Sequence, residues 1–494
     1  MTHSLLLLGL DVGTTRVKAV VFDSSGQVVA SARRATCWRS DDDGTAMDAA
    51  ELRTLILDVT GEAATAAVSA TGGCVTGIGT TGMGEAGVLT GPDDEPLGPV
   101  RAWYDERGDV ETIRRSIGTD AFHEATGMPL TAQPSLAKVL HQISESPAAA
   151  GATRFYSVPE WAARCLGSRP VSEMSLASRT GLLDVVTGLP WDGAHQLLGK
   201  NLLNELVQAG TDVGRAQGDV PPVLRGAILT VAGHDHQVAA LAAGAAVDGA
   251  LFDSLGTAEA LLRFTAGPLD RQVVASLAAQ HITAGRAVVP GHWCALHGLL
   301  TGFALERLAA LLGATDERAL VRLGEQALTA PPSRVRVQMG TDGMRITLPV
   351  EGAGSYEVTP AAVWAAAVEA AAQASGVAVR AVAELIGEHR TVIAAGGWLT
   401  NPAVLAAKLR QFCGLVTSSA AESGAAGAAY LAGVASGDLA GATTPWPPPA
   451  QAQPTGQLAM TPPAPASLEE GRLHMPDTRY DVLTGRRREE ERSR

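Results

Sequence analysis

Residues 5–10 (LLLLGL) form a short apolar run closed by Asp11 and Gly13. A second run, Val17 to Phe22, ends in Asp23-Ser24-Ser25-Gly26, and a third begins at Gln27-Val28-Val29. Short β-rich runs separated by Gly and Ser/Asp turns predict an antiparallel meander. The pattern argues against a dinucleotide-binding fold, where the glycine turn leads into a helix and a crossover. Over 48–70, Leu52, Leu55, Ile56 and Val59 recur on one side of a helix, and Val75 to Gly79 reads as a buried strand. Residues 121–218 are mostly helix and loop. The run VLRGAILTV (223–231) returns to strand, meets the small-residue turn Ala232 to His236, and continues as an Ala-rich helix near 237–244.

A second region opens near Asp248 with a strand over 250–255 that stops at Gly256-Thr257. Helices are expected near 301–313 and 359–375, a strand over 391–395 running into Gly396-Gly397, and a helix after Asn401-Pro402. Strand, glycine turn and polar residue thus recur at 5–15, 250–257 and 391–401, which suggests two related lobes around a shared cleft. The division expected is 1–245 for the first domain and 246–440 for the second. Residues 441–466 are rich in Pro, Thr, Ala and Gln and need not build a core, and the charged end around Arg486 to Arg492 reads as solvated, so 441–494 is taken as a tail.

A length of 494 residues requires more than one core. The 46% hydrophobic fraction and 55 glycines fit a packed, loop-rich α/β protein, with only 4% aromatic residues to fill it. A net charge of −13 argues against a broad nucleic-acid surface, yet leaves room for an anion site built from backbone N–H groups. The five cysteines (37, 74, 165, 294 and 413) are scattered and suggest neither a disulfide framework nor a zinc site. Leu5 to Leu8 reads as a strand, not a signal peptide, and no uninterrupted apolar run reaches membrane-spanning length. The expectation is a cytoplasmic protein without a nucleic-acid or membrane partner, as a monomer or homodimer.

The first segment with chemistry in it is Asp11-Val12-Gly13-Thr14-Thr15-Arg16-Val17-Lys18. Asp11 ends a strand, Gly13 lets the backbone approach a ligand, and Thr14 and Thr15 offer hydroxyl and N–H donors. An acid beside a phosphate needs an intervening cation such as Mg²⁺. The same segment also suits a plain hairpin turn. Asp235 follows a strand and opens a helix, where it either caps the helix or accepts a proton from an attacking hydroxyl. Its neighbours His234 and His236 fit substrate contact and ordinary packing equally. Gly256-Thr257 suits terminal phosphates, and Ala394 to Gly397 with Asn401 suits adenine and ribose.

Taken together, GLDVGTTRVKAVVFD, WYDER (103–107), AGHDHQVAALAAG, SLGTAEA, AAGGWLTNP and ESGAAG (422–427) resemble, in order, the motifs of the FGGY carbohydrate kinases. The resemblance covers roughly residues 5–440. It implies the two-domain actin/hexokinase-like (ribonuclease H-like) ATPase fold, α/β with a central cleft, and ATP-dependent phosphorylation of a small neutral sugar or polyol. By motif, Asp11 would organise Mg²⁺ together with Asp235. Gly13, Thr14, Thr15 and Lys18 would border ATP, Gly256 and Thr257 would approach its phosphates, and Gly396, Gly397 and Asn401 would lie beside adenosine. Asp235 would be the general base. Met83, Gly84, Glu85, Trp103, Asp105 and His236 would face the acceptor, with Glu85 and Asp105 positioning its hydroxyls.

The acceptor segment departs from the better-defined branches. Xylulose kinases carry a GQMHG-like sequence where this chain has Gly82-Met83-Gly84-Glu85-Ala86. Glycerol kinases resemble Asn-Gln-Arg-Glu-Thr, which keeps the glutamate but places arginine where Gly84 stands. The segment is nearer the fuculose-, erythritol- or uncharacterised sugar-kinase branches. Losing the Arg or His donors alters hydroxyl discrimination. Two other readings stay open: a kinase for a signalling polyol or modified sugar, and a non-catalytic actin-like ATP-binding sensor or structural protein.

Overall fold

A computed structural model describes residues 5–42, 44–331, 333–340, 343–348, 358–418 and 422–439. The tail expected over 441–494 lies outside the described residues. The predicted meander is present: strands Leu5–Val12, Arg16–Asp23 and Val28–Ala35 pair antiparallel in sequence. Strand Leu5–Val12 then pairs in parallel with Cys74–Gly82, which pairs in parallel with Ile228–His234. Parallel neighbours need a crossover. Helix Ala49–Thr71 provides the first one, capped by Asp48, whose carboxylate accepts from the N–H groups of Ala50 and Glu51. It ends at Gly72 in the left-handed region at φ 66°. Leu52, Ile56 and Val59 are buried on it as the spacing predicts, while Leu55 is half-buried.

The second sheet repeats this plan. Strand Ala250–Leu255 pairs antiparallel with Glu259–Ala266, which pairs antiparallel with His292–Leu299. On its other side it pairs in parallel with Thr391–Ala395, followed by Val416–Thr417. An additional strand, Thr283–Arg286, sits outside His292–Leu299. Three antiparallel strands followed by two parallel ones, with the first strand central, is thus the order in both lobes. The crossover helix here is Pro360–Ile386, longer than the stretch predicted over 359–375. Its 27 residues are apolar enough to span a bilayer, but it buries Trp364, Ala367, Ala371 and Val379 in the second lobe.

One element crosses the expected division at 245/246. Helix Ser423–Ser436, assigned by sequence to the second domain, packs on the first sheet against strands Leu5–Val12 and Cys74–Gly82. Its small residues explain why. A methyl group on Gly9 or Gly79 would overlap the carbonyls of Ala425 and Ala428, so helix and sheet backbones are in direct contact. This brings the helix's first turn over the end of the first strand, where Asp11 lies.

Candidate active site

Asp11 closes the first strand, opposite Lys18 on the second. One carboxylate oxygen, Oδ1, is buried and has no hydrogen-bond partner, and a methyl on Gly424 would come within 2.8 Å of the other. Burial, then the Asp235 charge, raises the Asp11 carboxyl to about 7; Lys18 opposes this and Glu422 adds to it. Lys18 Nζ donates to Glu422 at 2.8 Å, so the cation expected beside ATP is held at the helix entrance. A single buried, unsatisfied carboxylate beside a second carboxylate is a setting that a divalent cation would relieve. Mg²⁺ is commonly held by one or two carboxylates and the phosphates of its nucleotide. Among the described residues there is no group of three or more metal-ligating side chains.

Asp235 is the first residue of helix Asp235–Ala242, at the end of strand Ile228–His234. Its Oδ1 accepts from the His236 N–H at 2.7 Å and lies 3.5 Å from His234 Nε2. Burial raises its carboxyl, but His236, His234, that N–H and Arg179 outweigh burial and hold it below the usual carboxylate range. Its side chain is 24% exposed. His234 is buried, its Nδ1 is unpartnered, and burial pushes the ring down to about 3, so it is a neutral packing histidine. His236 is half-buried, its ring 5.5 Å from that of His234. Strand Ile228–His234 is fixed from behind: the His234 N–H donates to Ser175 Oγ at 3.1 Å, and that hydroxyl donates to Glu173 Oε2 at 2.5 Å.

The turn Gly13–Arg16 is closed by the Gly13 N–H on the Arg16 carbonyl at 3.1 Å, leaving Thr15 exposed. Two tryptophans hold Thr14. Trp38 donates to its carbonyl at 2.7 Å, and Trp103 donates to its hydroxyl at 2.9 Å. Trp103 is expected at the acceptor; its N–H braces Thr14 in the Gly13–Arg16 turn. Asp105 differs more. Its fully buried carboxylate accepts from the N–H groups of Thr45 (2.7 Å) and Arg107 (2.9 Å) and from the Arg107 guanidinium. Four donors occupy the carboxylate, so Asp105 locks strand Gly44–Met47 to this segment rather than standing open to acceptor hydroxyls.

Met83 and Gly84 are buried beside Glu85, which adopts φ 57° and is 4% exposed. The Glu85 carboxylate is paired with the Arg179 guanidinium, and the Ser135 hydroxyl donates to the Glu85 carbonyl at 3.0 Å. A methyl on Gly84 would meet His234 at 3.0 Å and Arg179 at 3.4 Å. Glu85 and Arg179 therefore stand next to the residues flanking Asp235. Arg179 escaped the sequence reading because nothing in its local pattern, Ala177-Ser178-Arg179-Thr180, marks it.

In the second lobe the turn Gly256–Thr257 is closed by the Gly256 N–H on the Ala258 carbonyl at 3.1 Å. Helix Thr301–Leu311 begins against it: a methyl on Gly302 would overlap the carbonyls of Gly256 and Thr257. Gly302 is a further residue the sequence reading missed. Gly396 is at φ 124° and touches the end of strand Ala250–Leu255, while Gly397 faces open space. Asn401 does not join them. It is fully buried and caps helix Pro402–Gln411 through the N–H groups of Ala403 and Val404. Its amide also donates to the Leu320 carbonyl at 2.8 Å, and its complete burial holds it inside the lobe.

Residues 6–242 match the FGGY family of carbohydrate kinases, N-terminal domain. Over that stretch, just under half of the chain, it is similar to the FGGY family of carbohydrate kinases. Among curated FGGY-type relatives, it is 31% identical over 242 residues to a glycerol kinase of Methylorubrum extorquens, covering 44% of this chain and 47% of that one. It is 25% identical over 190 residues to a gluconokinase of Bacillus subtilis, covering 38% and 36%. The matched stretch thus spans between about a third and a half of the relatives' length. The crystal structure of Plasmodium falciparum glycerol kinase with ADP superimposes with a TM-score of 0.77 at 16% identity, covering 88% of this chain and 90% of that one, and shows the shared two-lobed fold.

Proposed function

We propose that this protein transfers the γ-phosphoryl group of ATP to a hydroxyl of a neutral sugar, ketose or alditol. The observation that carries the reading is the pair of carboxylates at the ends of the two strands that flank Cys74–Gly82, near enough for the Asp235 charge to raise the Asp11 carboxyl. Asp11 is half-buried with one buried, unsatisfied oxygen, and Asp235 is partly exposed with its carboxyl held below the usual carboxylate range. Asp235 accepts the proton of the attacking hydroxyl, whose oxygen bonds to the γ-phosphorus as the bond to the bridging oxygen breaks and ADP departs. Mg²⁺, held through Asp11, supplies positive charge to the phosphate oxygens when bound. The Gly13 and Gly256 N–H groups close their own turns, so Thr15 and Thr257 supply the donors to the phosphates, and Gly396–Gly397 leaves room for adenosine. The buried Arg179–Glu85 pair favours this reading over an ATP-binding sensor, which has no use for a polar wall beside the base.

The relatives' own names span glycerol kinase and gluconokinase, and a modified sugar or signalling polyol would use the same machinery. A cytoplasmic location accords with ATP use and with the five free cysteines. The test is ADP release, coupled to a reporter enzyme, over a panel of pentuloses, hexuloses, 6-deoxy sugars, tetritols, glycerol and aldonates. Acceptor-dependent ADP release with at least one neutral member is expected; none with any member would contradict the proposal.

A further inference from the structure

The acceptor wall holds a cation that no motif announced. Arg179 is 6% exposed, and its guanidinium pairs with Glu85. Its Nε is buried and has no hydrogen-bond partner. A guanidinium carries five N–H donors in a fixed fork, and leaving a buried one unmet is costly. Glu85 meets the fork only in part. Glu85 is itself a non-glycine residue in the left-handed region at φ 57°, a conformation that costs energy and is found where function demands it. Both residues lie against Gly84 and His234, one residue from Asp235, whose carboxyl feels the Arg179 charge.

Gly84 keeps this wall tight: a methyl there would press on the His234 ring at 3.0 Å and touch the Arg179 Cβ at 3.4 Å, so the lack of a side chain at 84 lets both pack closely on the segment that carries Glu85. The pair is also selective by charge. Glu85 neutralises Arg179, and Asp235 adds a negative charge beside them, so an anionic acceptor would bring a further negative charge to a wall already neutral or negative. Two hydroxyl groups on neighbouring carbons match it better: one oxygen accepts from the guanidinium while the other hydroxyl donates to the carboxylate.

We propose that Arg179, together with Glu85, is a specificity-determining residue that reads two neighbouring hydroxyls of a neutral acceptor and presents a third to Asp235. The inference rests on the kinase reading and gives that site its substrate class: a neutral polyol or sugar with a vicinal diol, in preference to an aldonate.

The test uses the full chain with the panel acceptor of highest kcat/KM and its monodeoxy analogues. Arg179→Met should raise the acceptor KM roughly 10- to 100-fold, the loss of a charge-assisted hydrogen bond. The dissociation constant of a nonhydrolysable ATP analogue should stay within about twofold, and Arg179→Lys should recover part of the loss. For the deoxy analogue that lacks the hydroxyl in question, parent and Arg179→Met should have the same KM, a coincidence that a merely structural role would not produce. An unchanged acceptor KM in a folded variant, or equal losses for acceptor and nucleotide, would overturn the assignment while leaving the kinase reading intact. Failure of the parent protein to use any panel member would remove both. If neither variant folds, the acceptor complex of the unaltered protein decides. A guanidinium nitrogen within about 3.2 Å of an acceptor oxygen is expected, and an acceptor bound away from Arg179 would refute it.

Discussion

Glu160 is buried behind the base strand, with one oxygen accepting from the Ser157 N–H and the other from the Glu173 N–H, both at 2.7 Å. Burial pushes its carboxyl up to about 8, against the pull of those two donors and with the Glu173 charge adding to the rise. A folded-state value above the ordinary 4.5 means the contribution to stability is complete below about 4.5 and is lost as pH rises through about 8. Glu160→Gln, which is neutral at every pH, should therefore show its largest deficit in unfolding midpoint at pH 5, shrinking toward pH 8. A deficit that grows with pH would contradict this sign. At this scale the sequence was legible where chemistry is local. Asp11 and Asp235 end strands, and their surroundings follow from that. Asp105 and Asn401 are held mainly by near neighbours, Arg107 and the Ala403 and Val404 N–H groups, and are tied further to Thr45 and Leu320, 60 and 81 residues away. Neither of these longer contacts has a local signature.

The second lobe is joined at one buried lysine. Lys408, on helix Pro402–Gln411, donates to Asp253 (2.8 Å) on strand Ala250–Leu255 and to Glu259 (2.5 Å) on the adjacent strand. It also donates to Ser375 (2.8 Å) on helix Pro360–Ile386. Four elements thus meet at an ammonium group that is 2% exposed. Burial raises the Asp253 carboxyl to about 7, with Lys408 opposing and Glu259 reinforcing the rise. Lys408→Met would leave two buried acids without their cation, a change that costs about 3–5 kcal/mol. The unfolding midpoint of the second lobe in urea should fall accordingly; a shift equivalent to less than about 1 kcal/mol would show that the lysine is dispensable. Helix and strand positions were largely readable from apolar spacing. The placement of helix Ser423–Ser436 on the first sheet was not, because its Gly/Ala pattern specifies close contact without naming the sheet.

Across the whole molecule, both sheets share one strand order, so each lobe offers a turn after its first strand: Gly13–Arg16 in one and Gly256–Thr257 in the other. The recurrence of strand, glycine turn and polar residue along the chain foretold this plan, since a turn that must approach a ligand needs glycine wherever it occurs. The acceptor wall was half legible. Glu85 stood out by type and place, whereas Arg179 became visible only once the chain had folded. The function proposed depends most on Asp235 as proton acceptor, and one comparison tests that most directly: kcat for phosphoryl transfer to the best panel acceptor, by the parent protein and by Asp235→Asn. The variant preserves shape and removes the proton-accepting oxygen. A fall in kcat of about 10²- to 10⁴-fold, with nucleotide binding retained, is the result expected; turnover within a few-fold of the parent would contradict it.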